Sequence, residues 1–412
     1  MLEYIPFEKA FEMVKKETKE LKPEKVPLLS SLGRVLAVDV TSKVDFPPHP
    51  TSAVDGFALP KAGKSGERFR IVGKSLTGEP PKKFRRGAIE VSTGAFIPEW
   101  ALCVIMKEYV ERRGNEIVLG KDCREGENVN TRASIFRRGE MLARKGTYID
   151  AGILALLSST NFSWVYVYPR PRVFVFATGS EISDPGEEGE IFNASAMAAI
   201  GAARECGAEV IYGGIVEDSP ERISKVVRET RADVIVSTGG VSVGEVDFVM
   251  EALQEAGFEI IFWKVKQKPG KPLLFAKKGD RIFLGLPGYP ASAATNAEIY
   301  LKAILRKMQG VEPFYVTRAV SMSDYTRRPR ERTEFARAVL RFDRELMFEI
   351  IENQLSANPK NFAYANSLVI LPPEKERVKR GEVLRVIPKW GLRRAVVFHP
   401  RREELIKSED LF

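Results

Sequence analysis

Apolar and polar positions change their rhythm four times along the chain. Over residues 7–21 apolar side chains recur every three or four positions, which predicts an amphipathic helix. The loop Lys22-Pro23-Glu24-Lys25 follows it, and residues 26–37 read as a short strand and turn. Between 69 and 144 the pattern shortens to four-residue β runs at 69–72, 88–91, 103–106 and 116–119. Gly73, Gly78, Gly87, Gly94, Gly114 and Gly120 punctuate them, and this spacing predicts a small β domain. From 172 onward strands alternate with helices. Strands are predicted at 172–177, 208–215, 232–237, 259–265 and 283–286. Helices are predicted from Asn193 to 205, from Ser219-Pro220 to about 230 and over 248–256, with Gly257 as the last one's stop. Such alternation implies a doubly wound parallel sheet up to about residue 310. Beyond 314 the period returns to two at 334–342, 347–351, 368–371 and 383–387, which predicts a small C-terminal β barrel. Residues 401–412 read as a polar tail, and the chain shows no internal repeat or low-complexity tract.

Composition narrows the function classes. The chain has 412 residues, 44% of them hydrophobic, enough for about three domains with real cores. A formal charge of +9 and a pI near 9.2 favour acidic partners such as phosphorylated small molecules, nucleic acid or anionic surfaces. The basic residues are spread along the chain, which argues against nucleic acid as the partner. Cys103, Cys123 and Cys206 have no metal-like spacing and read as reduced thiols of a cytoplasmic protein. No signal-peptide pattern and no membrane-length apolar run is found. His49 and His399 are the only histidines, so a histidine-based zinc or nucleophile-base site is improbable.

The chemistry concentrates between residues 232 and 292. The strand at 232–237 empties into Thr238-Gly239-Gly240-Val241-Ser242-Val243-Gly244-Glu245-Val246-Asp247, a turn whose glycines leave backbone N–H groups free to face an anion. The strand at 259–265 runs into Lys264-Val265-Lys266-Gln267-Lys268-Pro269-Gly270-Lys271-Pro272, four lysines around a Pro-Gly turn. The third strand ends in Leu286-Pro287-Gly288-Tyr289-Pro290-Ala291-Ser292, where Pro290 suits a first helical turn. Three strands ending in such loops on one edge of a parallel sheet would form a ligand site. Taken singly, each loop is equally an ordinary βα turn. Asp55 in Asp55-Gly56 reads as an Asx turn, Asn193 as a helix cap and Asp218 as a cap of the helix after it or as a site residue.

These three motifs resemble the signatures of the molybdopterin molybdenumtransferase (MoeA) family, which is related to the E domains of gephyrin and plant Cnx1. Further similarity runs from about Asp45 to Asn366. Ser52-Ala53-Val54-Asp55-Gly56-Phe57-Ala58 is similar to the family's Ser-x-x-Asp-Gly-Tyr-Ala, and Thr178-Gly179-Ser180-Glu181-Ile182 to its Thr-Gly-Asp-Glu-Leu. Arg332-Thr333-Glu334-Phe335-Ala336-Arg337 looks like its Gly-Arg-x-x-Phe-x-Arg. Gln354-Leu355-Ser356 resembles its Gly-Ser stretch. Trp100 and Leu102 stand where the family has glycine and aspartate, and Ala133-Ser134-Ile135 where it has Gly-Glu-Asp.

The resemblance implies four regions. They are an elongated, discontinuous N-terminal domain (1–44 and 141–170), an inserted β-rich domain (45–140), a molybdopterin-binding α/β domain (171–312) and a C-terminal β barrel (313–412). It implies insertion of molybdate or tungstate into adenylylated molybdopterin with Mg2+-dependent release of AMP, by a homodimer that meets the molybdopterin adenylyltransferase. On that reading Asp55, Glu181, Asp218, Asp247, Lys268 and Lys271 carry the reaction, with Asp218 and Asp247 on the metal. Thr178, Gly179, Asn193, Gly239, Gly240, Ser242, Gly244, Lys264, Pro287, Gly288, Tyr289, Ser292, Arg332, Arg337 and Ser356 hold the pterin and its phosphate. The residue types suit the task, because a phosphate and an oxyanion need cations and amides and a hard cation needs carboxylates. The missing acids at Leu102 and 133–135 leave an alternative, a weakened paralogue that binds pterin or acts as a scaffold.

Overall fold

The computed structural model describes residues 1–241, 246–313, 315–327 and 331–389, without the side chains of 246 and 247. The chain divides into two compact units, Met1–Val38 with Lys145–Leu154 and Trp164–Phe412 as one, and Asp39–Arg144 with Ala155–Ser163 as the other. None of the described helices is long and apolar enough to cross a membrane.

The larger unit is built on a sheet in the order Glu209–Val216, Arg172–Thr178, Val234–Thr238, Arg281–Leu286, Leu274–Lys278, Glu259–Lys268. The first four strands are parallel, as the alternation of strands and helices predicts. Leu274–Lys278 is a strand the sequence reading passed over. It runs antiparallel to both neighbours, so the sheet is mixed rather than wholly parallel. Its turn, Gly279-Asp280, joins two apolar runs in a hairpin. Leu2–Pro6 adds a further parallel strand beside Glu259–Lys268.

Period-two alternation divides the sheet between two cores. Val173, Val175, Val234 and Val236 face helices Phe7–Glu17, Ala194–Glu205 and Lys302–Met308. Phe176 and Ile235 face helices Pro220–Glu229 and Val246–Glu255 on the other side. The first helix stops at Glu17, not at residue 21. The Thr18 hydroxyl donates to the Val14 carbonyl at 2.7 Å, and Thr18 itself is extended.

Five strands close the C-terminal barrel. Thr333–Phe342 pairs with Leu346–Ile350 and with Ser367–Leu371, and Thr317–Ser321 with Val383–Pro388 completes the ring. Closure removes the sheet's free edges. The strand Thr317–Ser321 is one the periodicity did not mark.

The smaller unit holds a six-stranded sheet in the order Cys103–Met106, Gly56–Leu59, Ala88–Val91, Arg68–Ser75, Glu116–Leu119, Val110–Arg113. Here the cysteine reading is corrected. Cys103 and Cys123 form a disulfide, their Cα atoms 6.3 Å apart, and Cys206 alone is free. Both partners lie in one apolar cluster with Phe57, Leu59 and Ile105, and the chain between them, 20 positions from one cysteine to the other, turns back to bring them together. Sequence spacing carried no sign of that return.

Candidate functional site

Parallel strands in register bring their carboxyl ends to one edge. Thr178 lies opposite Val216, and Thr238 lies between Ala177 and Leu286. The strand ending at Lys268 reaches the same edge after two reversals. The loops beyond these ends enclose a cavity of about 600 Å³. Close approach of the loops needs a glycine at 239. Its φ is +86°, and a Cβ there would stand 2.4 Å from the Thr178 carbonyl oxygen.

The cavity brings together Thr178, Gly179, Glu181, Asn193, Asp218, Gly239, Gly240, Lys268, Lys271, Pro287, Gly288, Tyr289, Ser292, Arg332 and Ser356. Sequence had singled out all of them from stretches up to 178 residues apart, Thr178 to Ser356. Lys264 is not in its wall; that ammonium pairs with Glu3 at 2.8 Å and lies over the Trp263 ring. Arg337 is fully buried in its barrel strand. It donates to Gln354 Oε1 at 2.9 Å and to the Leu355 carbonyl at 3.1 Å, fixing the backbone that presents Ser356. Asp55 belongs to the smaller unit, where its carboxylate accepts from the Thr93 N–H at 2.7 Å and hydroxyl at 2.9 Å. Ser242, Gly244 and the Asp247 side chain lie outside the described residues.

The charges in the cavity are unequal in freedom. Lys268 is bound to the buried Glu334 at 2.7 Å, whereas Lys271 lies 5.2 Å from the Tyr4 ring centre. Asp218 does not cap the helix that follows; Ser219 does, accepting from the Arg222 N–H. The Asp218 carboxylate is therefore left to the cavity. Partial burial pushes its pKa up, and the negative charge of Glu181 pushes the same way. The Thr178 hydroxyl opposes this without reaching hydrogen-bond geometry. Asn193 caps its helix through Ala196 N–H at 3.1 Å and donates to the Tyr212 hydroxyl at 2.8 Å. It is both a cap and a wall residue.

Sequence reasoning missed a buried layer beneath the lysine loop. Gln267 Nε2 donates to Asn296 Oδ1 at 2.6 Å, and the Tyr300 hydroxyl donates to Gln267 Oε1 at 2.6 Å. All three side chains have no exposed surface. The available signal was Asn296 itself, a carboxamide among the alanines of an apolar helix. Glu334 was missed because its partner Lys268 is 66 residues away. Among the described residues no group of three His, Cys, Asp or Glu side chains is placed to hold a metal ion.

Comparison with known proteins agrees with this arrangement. Three family models match in order: the MoeA N-terminal region (domain I and II) over residues 5–160, the "Probable molybdopterin binding domain" over 174–307, and the MoeA C-terminal region (domain IV) over 319–389. The chain is 31% identical to the molybdopterin molybdenumtransferase of Nostoc sp. strain PCC 7120, over 92% of this chain and 91% of that one. It is 30% identical to the molybdopterin molybdenumtransferase of Bacillus subtilis strain 168, covering 93% and 94%. A crystal structure of the molybdopterin biosynthesis moeA protein from Pyrococcus horikosii superposes with a TM-score of 0.78 at 29% identity, covering 94% of this chain and 100% of that one.

Proposed function

Because this chain belongs to the molybdopterin molybdenumtransferase family, a family of transferases in molybdenum cofactor biosynthesis, we propose that its cavity takes adenylylated molybdopterin and a molybdate or tungstate oxyanion and releases AMP. One observation carries the proposal. The same cavity is lined by the cations Lys268, Lys271 and Arg332 and by the carboxylates Asp218 and Glu181. A phosphorylated pterin and a tetrahedral oxyanion need the first set, and a divalent cation needs the second.

The carboxylates suit Mg2+. Partial burial and then the charge of Glu181 raise the pKa of Asp218, both carboxylates line the cavity, and both are hard oxygen donors. The ion, when bound, neutralises pyrophosphate charge and eases departure of the AMP oxygen. The chain's own residues do the rest. Lys271 and Arg332 bind phosphate and oxyanion oxygens, the backbone around Gly239 and Gly288 lets the ligand approach closely, and exposed Tyr289 offers a planar face at the cavity. The phosphorus is attacked by water or by an oxygen of the metal oxyanion, and the P–O bond to AMP breaks. Incubating the protein with adenylylated molybdopterin, molybdate and Mg2+ should release AMP in proportion to pterin consumed; intact adenylylated pterin after many hours would overturn the reading. An adenylylated substrate also places the protein downstream of an adenylyltransferase, with which a hand-over contact is expected.

We further propose a homodimer. Trp164 and Tyr166 project from one face of the strand Trp164–Val167, 50% and 48% exposed, and the turn Leu28–Ser31 beside that strand leaves Leu29 85% exposed. Exposed large apolar side chains grouped in this way support a protein contact. Sedimentation at micromolar concentration should give twice 46.1 kDa, and a monomer would refute the dimer.

A further inference from the structure

The lysine loop is held from behind by side-chain amides, and the direction of that grip fixes which backbone groups face the cavity. Gln267 Nε2 lies 3.3 Å from the carbonyl oxygens of both Pro269 and Gly270. Asn296 Nδ2 donates to the Gly270 carbonyl at 3.1 Å and to the Pro272 carbonyl at 3.2 Å. The carbonyls of 269, 270 and 272 are thus turned into the protein. The peptides joining 269 to 270 and 270 to 271 are trans, and in a trans peptide the N–H points opposite to the C=O. The Gly270 and Lys271 N–H groups therefore point away from the buried amides. Neither donates to any acceptor among the described residues, and both residues line the cavity. Gly270 has φ +85°, and a Cβ there would stand 2.2 Å from Asn296 Oδ1, so the loop and the carboxamide interlock. Tyr300 orients Gln267 in turn, by donating to its Oε1 at 2.6 Å.

We propose that Asn296 is a positioning residue, with Gln267 and Tyr300 behind it, that turns the Gly270 and Lys271 amides outward as a paired donor site for one tetrahedral oxyanion of the substrate. Adjacent N–H groups aimed at one point form an anion-binding concavity, and the Lys271 ammonium adds charge beside it. This deepens the function proposed above and rests on it. Asn296→Asp keeps shape and volume but places a carboxylate against the Gly270 and Pro272 carbonyls. That repulsion turns the peptides and withdraws the donors.

The probe is inorganic tungstate. Labelling proline carbonyl carbon with 13C and glycine nitrogen with 15N isolates the three Pro-Gly amides, at Gly186, Gly270 and Gly288. In the wild type the Gly270 resonance should move as tungstate is added. In Asn296→Asp it should stay still, with tungstate bound roughly tenfold more weakly or worse. A purely packing role for Asn296 would lower the melting temperature without silencing that resonance. If Asn296→Asp does not fold, Tyr300→Phe replaces it and should weaken tungstate binding and shrink the Gly270 shift. A stationary Gly270 resonance in the wild type at high tungstate overturns the proposal, as does wild-type affinity with an unchanged shift in the variant. AMP release by the wild type reports separately on the reaction. Normal release with a silent Gly270 sinks the amide site alone, and a responsive Gly270 without release sinks the proposed reaction alone.

Discussion

The Lys268 ammonium lies 2.7 Å from the Glu334 carboxylate, and only 1% of that glutamate side chain is exposed. The register explains the pairing, because Lys268 stands opposite Glu334 where the central sheet meets the barrel strand Thr333–Phe342. Arg327 reaches the other Glu334 oxygen at 3.3 Å. One buried carboxylate therefore holds two cations, and the cluster presents a single net positive charge to the cavity.

Removing that carboxylate leaves two cations in a desolvated place. Glu334→Gln keeps the shape but not the charge, and breaking a buried pair costs about 3–5 kcal/mol. Chemical denaturation should show a loss of that order, while Glu331→Gln, on the exposed side of the same segment, should change stability by less than about 0.5 kcal/mol.

The two lysines of the loop should differ in binding. Lys271 has no carboxylate partner among the described ion pairs and meets only the Tyr4 ring, so its charge is available to a ligand. Lys271→Ala should weaken binding of the adenylylated pterin by about 1.5–3 kcal/mol, the value of a charged hydrogen bond. Lys268→Ala should weaken binding less and cost more stability, because it leaves the buried Glu334 with Arg327 as its one remaining cation among the described ion pairs. Calorimetry on both variants, with unfolding curves beside it, would show the order reversed if Lys268 were the main anion donor.

Asp218 ties stability to pH. Its folded pKa is above the ordinary aspartate value, chiefly from burial and then from Glu181. Between the unfolded and folded pKa values the native state binds more protons than the unfolded one. Stability from this group is therefore fully present below the unfolded pKa and is lost as pH rises through the folded one. At neutral pH the ionised Asp218 is a cost kept for the site. Asp218→Asn should raise the melting temperature at pH 7, with the gain shrinking as pH falls toward the aspartate range. A gain that stays constant with pH would point to packing instead of charge.

How much of this was legible depends on the distance over which each signal acts. The strands Cys103–Met106 and Glu116–Leu119 and the helix capped by Asn193 stand where local period and capping place them, since those signals span a few residues. The loops at Gly239, Lys268 and Pro287 were legible for the same reason. Leu274–Lys278 was legible in principle, because Gly279-Asp280 between two apolar runs is a hairpin signal. The pairings Gln267 with Asn296, Lys268 with Glu334 and Cys103 with Cys123 were not. Each joins residues at least 20 positions apart, and only the folded register brings them into contact. The cap at Ser219 instead of Asp218 is a one-residue boundary effect, the scale on which local signals are least sharp.

The disulfide predicts a thiol count. With Cys103 and Cys123 joined, only Cys206 carries a free thiol, and it is buried. Protein denatured without reductant should react with one equivalent of a thiol reagent and after reduction with three. Closing a loop of this length stabilises by about 3 kcal/mol, so reduction should lower the melting temperature. Three reactive thiols in unreduced protein would return the pair to free cysteines.

Ala133 stands where the resemblance leads one to expect glycine. Its φ is +58°, the left-handed region that a side chain disfavours. The backbone keeps the turn in spite of the substitution because its N–H donates to the Pro47 carbonyl at 3.0 Å, and the Ile135 N–H donates to the Phe46 carbonyl at 3.0 Å. Alanine therefore holds a conformation suited to glycine, and relieving it is worth about 1 kcal/mol, less the entropy glycine adds to the unfolded chain. Ala133→Gly should raise stability by a few tenths of a kcal/mol up to about 1 kcal/mol. Ala133→Val should lower it by more, since a β-branched residue at positive φ is strained further. Urea unfolding of the three proteins should rank glycine above alanine above valine. Alanine above glycine would mean that the turn in solution does not keep the positive φ, and that the departure at 133–135 has reshaped the loop.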